Sequence, residues 1–246
     1  MAKIACVIPA RLQSSRFPKK ILAPLHGKPM LQWVWEAAKE VPFFDSVTIA
    51  IDAEETAYAV EKFGASYQMT SIECPNGTLR LCDLIQKYDI EGDIFVCWQG
   101  DEPFLHEAMI RELLQTVGKD DADIWTLKKR MDDLTLASSP HHVKVVTDHE
   151  GYALYFSRSL IPFHRDTPLS YYDKHIGLYA YTRKALEKIG SLPFSPLAEK
   201  EQLEMLNFMY HGLKIRVHNT LHEGFGIDIP EHLEEAHQRV LALRSS

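Results

Sequence analysis

The sequence predicts an α/β protein in which helices cover a parallel sheet, with a smaller β-rich portion. The first half alternates short apolar runs with stretches whose apolar residues recur at helical spacing. Strands and helices that alternate in this way form parallel sheets with right-handed crossovers. The second half is richer in strand-like segments. Because no composition break marks a linker, we expect one domain of 246 residues with halves at about 1–120 and 121–246.

Local sequence signals predict each helix and strand of the first half. Strands are predicted where apolar or β-branched residues run together, and Gly64 and Thr78 mark a helix end and a helix N-cap. Pro29 suits the first position of a helix. The predicted elements are strand Lys3–Ile8, helix Met30–Glu40, strand Ser46–Ile51, a helix through Phe63, strand Ala65–Met69, helix Thr78–Tyr88, strand Asp93–Trp98 and a helix through Leu114.

The second half is assigned by the same rules. A polar segment, Pro162–Lys174, is expected to be a mobile loop, and a long helix is expected over Ala198–Tyr210. Pro230 begins a terminal helix. The predicted strands are Ile124–Lys128, Val143–Asp148, Tyr152–Ser157, Ile176–Tyr181 and Lys214–Val217.

Bulk composition excludes several classes of protein. The net charge of −7 argues against general nucleic-acid binding, which needs a basic face. No apolar run approaches the roughly 18 residues of a membrane helix, and the N-terminus lacks a signal-peptide layout. The four cysteines form no C-x-x-C pair, so neither a zinc knuckle nor a redox motif is suggested. We therefore expect a reduced, cytoplasmic protein with no nucleic-acid or membrane partner.

A cationic loop follows the first strand. It carries Arg11, Arg16, Lys19 and Lys20, together with the hydroxyls of Ser14 and Ser15. A solvated basic loop is one interpretation of this charge. The position favours another, because ligands of open α/β sheets lie beyond the carboxyl ends of the strands. The loop is no Walker-type phosphate loop, so its side chains are predicted to bind a nucleotide triphosphate.

Two aspartates are candidate magnesium ligands. Asp101 ends an apolar strand within Gln99–Pro103, and Asp228 lies between a glycine-containing loop and Pro230. Magnesium prefers one or two carboxylates together with phosphate oxygens. The alternative makes both aspartates helix N-caps. Glu102 is expected to be a carboxylate in the first turn of the following helix.

Three further segments place polar groups near strand ends or among apolar strand residues. Asn76–Arg80 forms either a turn and helix start or a contact surface for base and ribose. Arg158 can bind a carboxylate through two hydrogen bonds. Together with His175 it suggests a pocket for an acidic substrate, although a lone histidine in a strand is more often a core residue.

The motifs together resemble one family, the 3-deoxy-manno-octulosonate (Kdo) cytidylyltransferases. In chain order from Ile8 to Glu231 they are P-A-R-x-x-S-S-R-F-P-x-K, G-K-P-M, M-T, N-G-T-x-R, Q-G-D-E-P, V-K-V-V, G-Y-A-L-Y-F-S-R-S-x-I-P, H-I-G-x-Y-x-Y and G-x-D-x-P-E. Such enzymes transfer CMP from CTP to the anomeric hydroxyl of a 2-keto-3-deoxy sugar acid and release pyrophosphate. Their product serves lipopolysaccharide or capsule synthesis.

The resemblance implies a GT-A-like nucleotidyltransferase fold, a Rossmann-like three-layer sandwich, with CTP bound in the first half. It implies sugar binding and dimerisation in the second half, two Mg²⁺ ions and a homodimer. Catalytic roles would fall to Arg11, Lys20 and Asp101, and metal binding to Asp101 and Asp228. The implied nucleotide-binding residues are Pro9, Ala10, Arg11, Ser14, Arg16, Lys20, Asn76, Gly77, Arg80 and Gln99, and the implied sugar-binding residues are Arg158, His175, Tyr179 and Glu204.

The chain departs from the family at several positions. Lys19 stands where the family has glycine, Leu79 where it has glutamate, and Ile51 where it has threonine. In the predicted long helix, Met205 and Asn207 replace the family's glutamine and arginine. Because that glutamine contacts the sugar in the family, these changes bear on the choice of sugar more than on CTP.

Three functional hypotheses follow. The first is a CTP-dependent cytidylyltransferase that uses Kdo. The second is the same reaction on a different acidic sugar, such as an amino-Kdo or a nonulosonic acid. The third is a non-catalytic nucleotide-binding paralogue, which the retention of Lys20, Asp101 and Asp228 disfavours.

Overall fold

The structure, a computed structural model, describes residues 2–166 and 170–245, without the side chains of residues 243–245. The described residues divide into two units. Unit 1 contains the residues up to Leu105 and those from Gly224 onward, and unit 2 is His106–Glu223. The single domain predicted from the sequence stays a prediction.

The regular elements run along the chain as follows. The strands are β1 (Ile4–Ala10), β2 (Pro24–Leu25), β3 (Lys28–Pro29), β4 (Ser46–Ile51), β5 (Tyr67–Met69), β6 (Ile94–Cys97), β7 (Ile124–Met131), β8 (Lys144–Thr147), β9 (Ala153–Ser157), β10 (Tyr172–Thr182) and β11 (Ile215–Asn219). The helices are α1 (Met30–Lys39), α2 (Glu54–Lys62), α3 (Gly77–Lys87), α4 (Glu107–Leu114), α5 (Leu134–Ser138), α6 (Arg183–Ile189), α7 (Pro196–Glu201), α8 (Glu204–Tyr210) and α9 (Pro230–Ser245).

Unit 1 contains a parallel sheet with the strand order β6-β1-β4-β5. Residues 5–8 of β1 are buried because this strand lies between β4 and β6 and because α1 and α3 pack against it. Parallel strands bring their carboxyl ends to one edge of the sheet. The segments that follow Ala10, Ile51 and Cys97 therefore leave the sheet at the same edge, as the sequence predicts.

The last helix belongs to the core of unit 1. Ala236 and Val240 of α9 are buried against Leu25, Met30 and Ile227. Fully burying a Leu, Ile, Met or Val side chain contributes about 1.5–3 kcal/mol to the free energy of folding. This packing fixes the loop before α9, which carries Asp228.

Unit 2 contains a mixed sheet. Strand β7 pairs with β11 in parallel and with β10 in antiparallel orientation. Strand β8 joins β10 to β9 through antiparallel pairs. The pairing between β10 and β7 shifts register between Ile176 and Tyr179, which is a bulge or irregularity. Strands β7, β8, β9, β10 and β11 all lie in this unit.

Several predicted boundaries differ from the structure. The N-cap of α3 is Asn76, whose Oδ1 accepts from Leu79 N at 2.8 Å, so the assignment of Thr78 as the cap is wrong. The predicted continuous helix over Ala198–Tyr210 is also wrong. It is interrupted at Gln202, which has φ 52° and ψ 47° and ends α7 in the left-handed conformation.

The predicted mobile loop over 162–174 is described only in part. Residues 167–169 lie outside the described residues, so the prediction is not tested there. Residues 172–174 are part of β10 and pair with β7, so the loop prediction is wrong for them.

All four cysteines are free thiols. Cys6 and Cys97 are core residues, as predicted, and burial raises the pKa of the Cys6 thiol. Throughout the described ranges, 2–166 and 170–245, we find no helix with the length and apolar character that crossing a membrane requires.

The break at Gln202 can be tested by glycine substitution. Because glycine adopts positive φ without a steric penalty, Gln202→Gly is expected to leave stability unchanged or raise it. A matched substitution inside α7, Lys200→Gly, is expected to cost about 1 kcal/mol, or about 2–4 °C in Tm. Thermal unfolding followed by circular dichroism measures both. Equal losses in the two variants would indicate a continuous helix.

Candidate active site

The cationic loop begins directly at the carboxyl end of β1. Pro9 and Ala10 belong to the strand itself, and Arg11 is the first residue beyond it, with an exposed side chain. Ser14 is half-buried and Arg16 is exposed. Leu12 N donates to Oδ1 of Asp52 at 2.8 Å, so the end of β4 holds the start of the loop.

Lys20 lies at the other end of this loop, in a short 3₁₀ turn over Lys20–Leu22. Only 8% of the residue is exposed. Its Nζ donates to Oδ2 of Asp101 and, at 3.0 Å, to Oδ1 of Asp228. Arg16 Nη2 pairs with the same Asp228 oxygen at 3.0 Å. The structure therefore brings together the predicted lysine and both predicted metal ligands.

The charges in this cluster stabilise one another. Burial alone lowers the pKa of Lys20, but the carboxylates of Asp101 and Asp228 outweigh it and the net shift is upward. Burial alone raises the pKa of Asp228, but hydrogen bonding and attraction from Lys20, with a contribution from Arg16, lower it overall. Lys20 is therefore charged at neutral pH, as is Asp228.

Backbone contacts hold the two aspartates in place. Ile227 N donates to the carbonyl of Asp101 at 2.9 Å, and the Ile227 side chain is fully buried. Asp228 N donates to Nδ1 of His232 at 3.3 Å. The N-cap interpretation is wrong for Asp101, because α4 begins at Glu107 and its cap is His106. The side chain of Asp228 pairs with Lys20 and Arg16.

Glu102 is a feature that the sequence interpretation missed. The prediction that it lies in a first helical turn is wrong, since α4 starts only at Glu107. Its Oε2 is buried without a hydrogen-bond partner among the described residues. Burial, reinforced by the charges of Asp101 and Asp228 and opposed by Lys20, raises the pKa of Glu102 to about 8. The available sequence signal was a Glu directly after Asp101, the predicted metal ligand at a strand end.

Lys19 adopts a backbone conformation that favours glycine. Its φ is 56° and its ψ is 27°, in the left-handed region. A residue with a Cβ pays about 1–2 kcal/mol there. Its Nζ pairs with Glu55 at 2.7 Å, although both side chains are about half exposed. Lys19 therefore combines a left-handed backbone with a surface ion pair.

The predicted nucleotide-binding residues also gather at this edge of unit 1. A Cβ on Gly77 would lie 2.7 Å from Nε2 of Gln99 and 3.1 Å from Cγ of Pro9. Asn76 uses its side-chain oxygen to cap α3. Pro9, Gly77 and Gln99 are therefore neighbours, and glycine is what allows this close approach.

The side chain of Arg80 is buried and bonded to other groups of the protein, unlike a side chain that is open to a ligand. Only 2% of it is exposed. Its guanidinium donates to Asp52 Oδ2 at 3.0 Å, to Thr70 Oγ1 at 2.6 Å and to the carbonyl of Ser71 at 3.3 Å. Its predicted role beside the cytidine stays a prediction.

In unit 2, Arg158 is held by carbonyl groups. Its side chain donates to the carbonyls of Glu201 at 2.8 Å and Pro140 at 2.9 Å. The carboxylate of Glu201 accepts from Arg158 N at 3.0 Å and from Ser157 Oγ at 2.6 Å. Carbonyl contacts orient the guanidinium without neutralising its charge.

Lys144 supports this arrangement and was not singled out from the sequence. Its side chain is fully buried, and Nζ donates to the carbonyls of Arg158 and His142 at 2.6 Å. Burial, with a smaller effect from the positive charge of Arg158, lowers the pKa of Lys144 against the attraction of Glu201. A lysine within an apolar strand, as in V-K-V-V, was the sequence signal.

The other predicted sugar-binding residues of unit 2 lie in and beside the core. His175 is buried, bonds to Thr126 Oγ1 at 3.1 Å, and has its pKa lowered by burial to about 3. Tyr179 is buried with its ring 5.5 Å from that of His175. Glu204 is half-buried at the first position of α8. Met205 and Asn207 are buried, and Asn207 Oδ1 accepts from Ser195 N at 2.7 Å.

Cations and carboxylates at the carboxyl edge of a parallel sheet are the groups that bind a nucleotide triphosphate, so fold and site define an α/β protein of the nucleotidyltransferase class. Comparison with known sequences narrows this to one family. Residues 5–215 match the cytidylyltransferase family, and the chain belongs to it.

Individual relatives agree with this assignment. The chain is 42% identical to a 3-deoxy-manno-octulosonate cytidylyltransferase of Thermodesulfovibrio yellowstonii, over 94% of this chain and 95% of the relative. It is 38% identical to an 8-amino-3,8-dideoxy-manno-octulosonate cytidylyltransferase of Shewanella baltica, over 96% and 98%. A solved structure of CMP:2-keto-3-deoxy-manno-octonic acid synthetase complexed with CTP superposes with a TM-score of 0.92 at 37% identity, over the whole of both chains. The resemblance and the nucleotidyltransferase fold are confirmed.

The raised pKa of Glu102 predicts a pH dependence of stability. The folded-state pKa of about 8 lies above the ordinary value of 4.5. The contribution of protonated Glu102 to the free energy of unfolding is therefore fully present below pH 4.5 and is lost as the pH rises through 8. Glu102→Gln removes this titration. In metal-free buffer the variant should match the wild type near pH 5 and have the higher Tm at pH 9. A Tm difference that stays constant between these pH values would contradict the shift.

Proposed function

We propose that this protein transfers CMP from CTP to the anomeric hydroxyl of 3-deoxy-manno-octulosonate, giving the CMP-sugar and pyrophosphate for lipopolysaccharide or capsule synthesis. The observation that carries the proposal is the pairing of Lys20 with Asp101 and Asp228, beside the cationic loop, in a chain of the cytidylyltransferase family. Kdo and amino-Kdo cytidylyltransferases among the relatives support the substrate class.

The cationic loop supplies the triphosphate contacts in this proposal. Arg11 and Arg16 provide planar donor groups for phosphate oxygens, and Ser14 provides a hydroxyl. Lys20 is a compact point charge whose position is fixed by two carboxylates. Fixed positive charge that faces the departing pyrophosphate stabilises the transition state without reorganisation.

Asp101 and Asp228 fit the requirements of magnesium. Both direct an oxygen at the same Nζ atom, so their carboxylates converge on one small volume. Within the part of the chain that the structure describes, no group of three or more His, Cys, Asp or Glu side chains forms a metal cluster. Magnesium typically takes one or two carboxylates and completes its octahedron with phosphate oxygens and water. Bound there, it would neutralise phosphate charge.

The reaction needs no covalent intermediate with the protein. The anomeric oxygen of the sugar forms a bond to the α-phosphorus, and the bond from this phosphorus to the oxygen that bridges to the β-phosphate breaks. The bonding electrons leave with pyrophosphate, and the hydroxyl proton passes to water. Both substrates are anions, so their approach is opposed by charge repulsion. The cations of the loop reduce this repulsion, which makes positioning and electrostatics the main contributions of the protein.

Arg158, His175, Tyr179 and Glu204 are proposed to form the sugar-binding part of unit 2. Carbonyl groups orient the side chain of Arg158, and its guanidinium can bind the sugar carboxylate. The pKa of about 3 keeps His175 neutral, so it can act only through hydrogen bonding and packing. Assembly as a homodimer and a cytoplasmic location are further proposals, the latter supported by the four free thiols.

An 8-amino sugar is the second candidate acceptor. The Shewanella baltica relative that acts on such a sugar is nearly as similar to this chain as the Thermodesulfovibrio yellowstonii relative that acts on Kdo. Met205 and Asn207 stand where the family has glutamine and arginine, and both are buried, so the family's contact from that glutamine is missing here.

A panel of acidic sugars tests the proposal. Wild-type protein with CTP and Mg²⁺ is expected to release pyrophosphate with 3-deoxy-manno-octulosonate faster than with its 8-amino analogue or a nonulosonic acid. The reverse order would assign a different sugar, and no release with any of them would favour a non-catalytic paralogue.

Asp101→Asn tests the metal role in the same pyrophosphate-release assay. The substitution keeps the shape of the side chain but removes a charge that Lys20 and the metal require. We expect turnover to fall by at least about 10²-fold, the range for losing one electrostatic contact in a transition state. Glu91→Gln removes a surface carboxylate that pairs with Lys3 and should leave turnover unchanged. Undiminished activity of folded Asp101→Asn would contradict the metal role.

A further inference from the structure

Asp52, directly after β4, and Glu55, in the first turn of α2, contact the cationic loop at its two ends. Asp52 accepts from Leu12 N, immediately after Arg11. Three residues later, Glu55 pairs with Lys19, immediately before Lys20. Two nearby carboxylates therefore contact the loop, one where it leaves β1 and one just before its buried lysine.

The contact at Asp52 is buried and belongs to a closed set of hydrogen bonds. The side chain of Asp52 is 6% exposed, and its second oxygen accepts from Nη2 of Arg80 at 3.0 Å. Nη1 of Arg80 donates to Thr70 Oγ1, which in turn donates to the carbonyl of Ile51 at 2.7 Å. The chain of bonds thus returns to the backbone next to Asp52, which fixes the carboxylate in one orientation.

We propose that Asp52 and Arg80 are a positioning pair for the nucleotide loop. Arg80 holds Asp52, and Asp52 holds the backbone at Leu12, so that Arg11 projects from a fixed point at the strand end. Arg80 acts through Asp52 and not by contact with the cytidine. This inference rests on the proposed binding of CTP to the same loop.

The two ends of the loop differ in how firmly they are held. Removing one partner of a buried ion pair leaves an uncompensated charge, which is costly. The Lys19–Glu55 pair is about half exposed on both sides, and such pairs contribute little. The loop should therefore depend on Asp52 much more than on Glu55, and Glu55→Gln is the natural comparison for Asp52→Asn.

Calorimetric titration with CTP in Mg²⁺ tests the pair. Asp52→Asn and Arg80→Gln should each raise the Kd for CTP by about tenfold or more, since small displacements of positioned groups have effects of this size. The double variant should be no worse than either single variant, because both changes break one unit. Glu55→Gln should stay within about twofold of wild type.

Two kinetic measurements distinguish a positioning role of Arg80 from general damage to the fold and from direct contact between Arg80 and the base. The KM for the sugar acid should be unchanged in both single variants, whereas the KM for CTP rises. Preference for CTP over UTP should also be unchanged. Loss of that preference in Arg80→Gln alone would mean that Arg80 contacts the base, and this would overturn the positioning role.

A milder variant keeps the proposal testable if the buried substitutions prevent folding. Thr70→Val removes the hydroxyl that orients Arg80 but leaves the Asp52–Arg80 charges paired. It should weaken CTP binding measurably while circular dichroism remains that of the wild type. If Asp52→Asn folds, unchanged CTP affinity in this variant would overturn the proposal. If Asp52→Asn does not fold, unchanged CTP affinity in Thr70→Val would overturn it. Failure of the wild type to bind CTP would instead overturn the proposed function.

Discussion

The arrangement of unit 1 depends on one buried ammonium group and the two carboxylates that share it. Lys20 is separated from Asp101 by 81 positions and from Asp228 by 208. Burying a lone charge is strongly unfavourable, and the cost is offset only when partners with good geometry surround it. Lys20 has such partners, and Arg16 adds a further contact to Asp228. The cluster is therefore a structural junction, and in the proposed reaction it is also a fixed source of charge for an incoming phosphate.

The rest of unit 1 can be understood as support for this cluster. The parallel sheet brings Arg11, Asp52 and Asp101 to one edge because each follows the carboxyl end of a strand. Asp228 comes from elsewhere in the chain, and it is held by the buried side chain of Ile227 and by the core that α9 completes. Loss of packing under α9 should therefore displace Asp228 and so disturb the site. No residue of this core contacts a substrate in the proposed reaction.

The sequence could predict the part of the site that depends on local order. Strand ends, a concentration of cations, and carboxylates beside glycine or proline are all visible without tertiary information. The sequence could therefore single out Lys20, Asp101 and Asp228, which the structure brings together. Glu102 and Arg80 were misjudged or left open because their surroundings are set by distant residues: burial near two aspartates in one case, and the carboxylate of Asp52 in the other. The helix break at Gln202 was missed because helical spacing continues through it, whereas a left-handed residue ends α7.

The central claim is that the loop ending at Lys20 binds the triphosphate of CTP. Calorimetric titration of CTP into wild type and Lys20→Met, at saturating Mg²⁺, tests it most directly. We expect measurable binding to the wild type and a Kd at least about tenfold higher for the variant, because a charge-assisted contact contributes about 1.5–3 kcal/mol. Equal affinity of folded wild type and variant would contradict the claim.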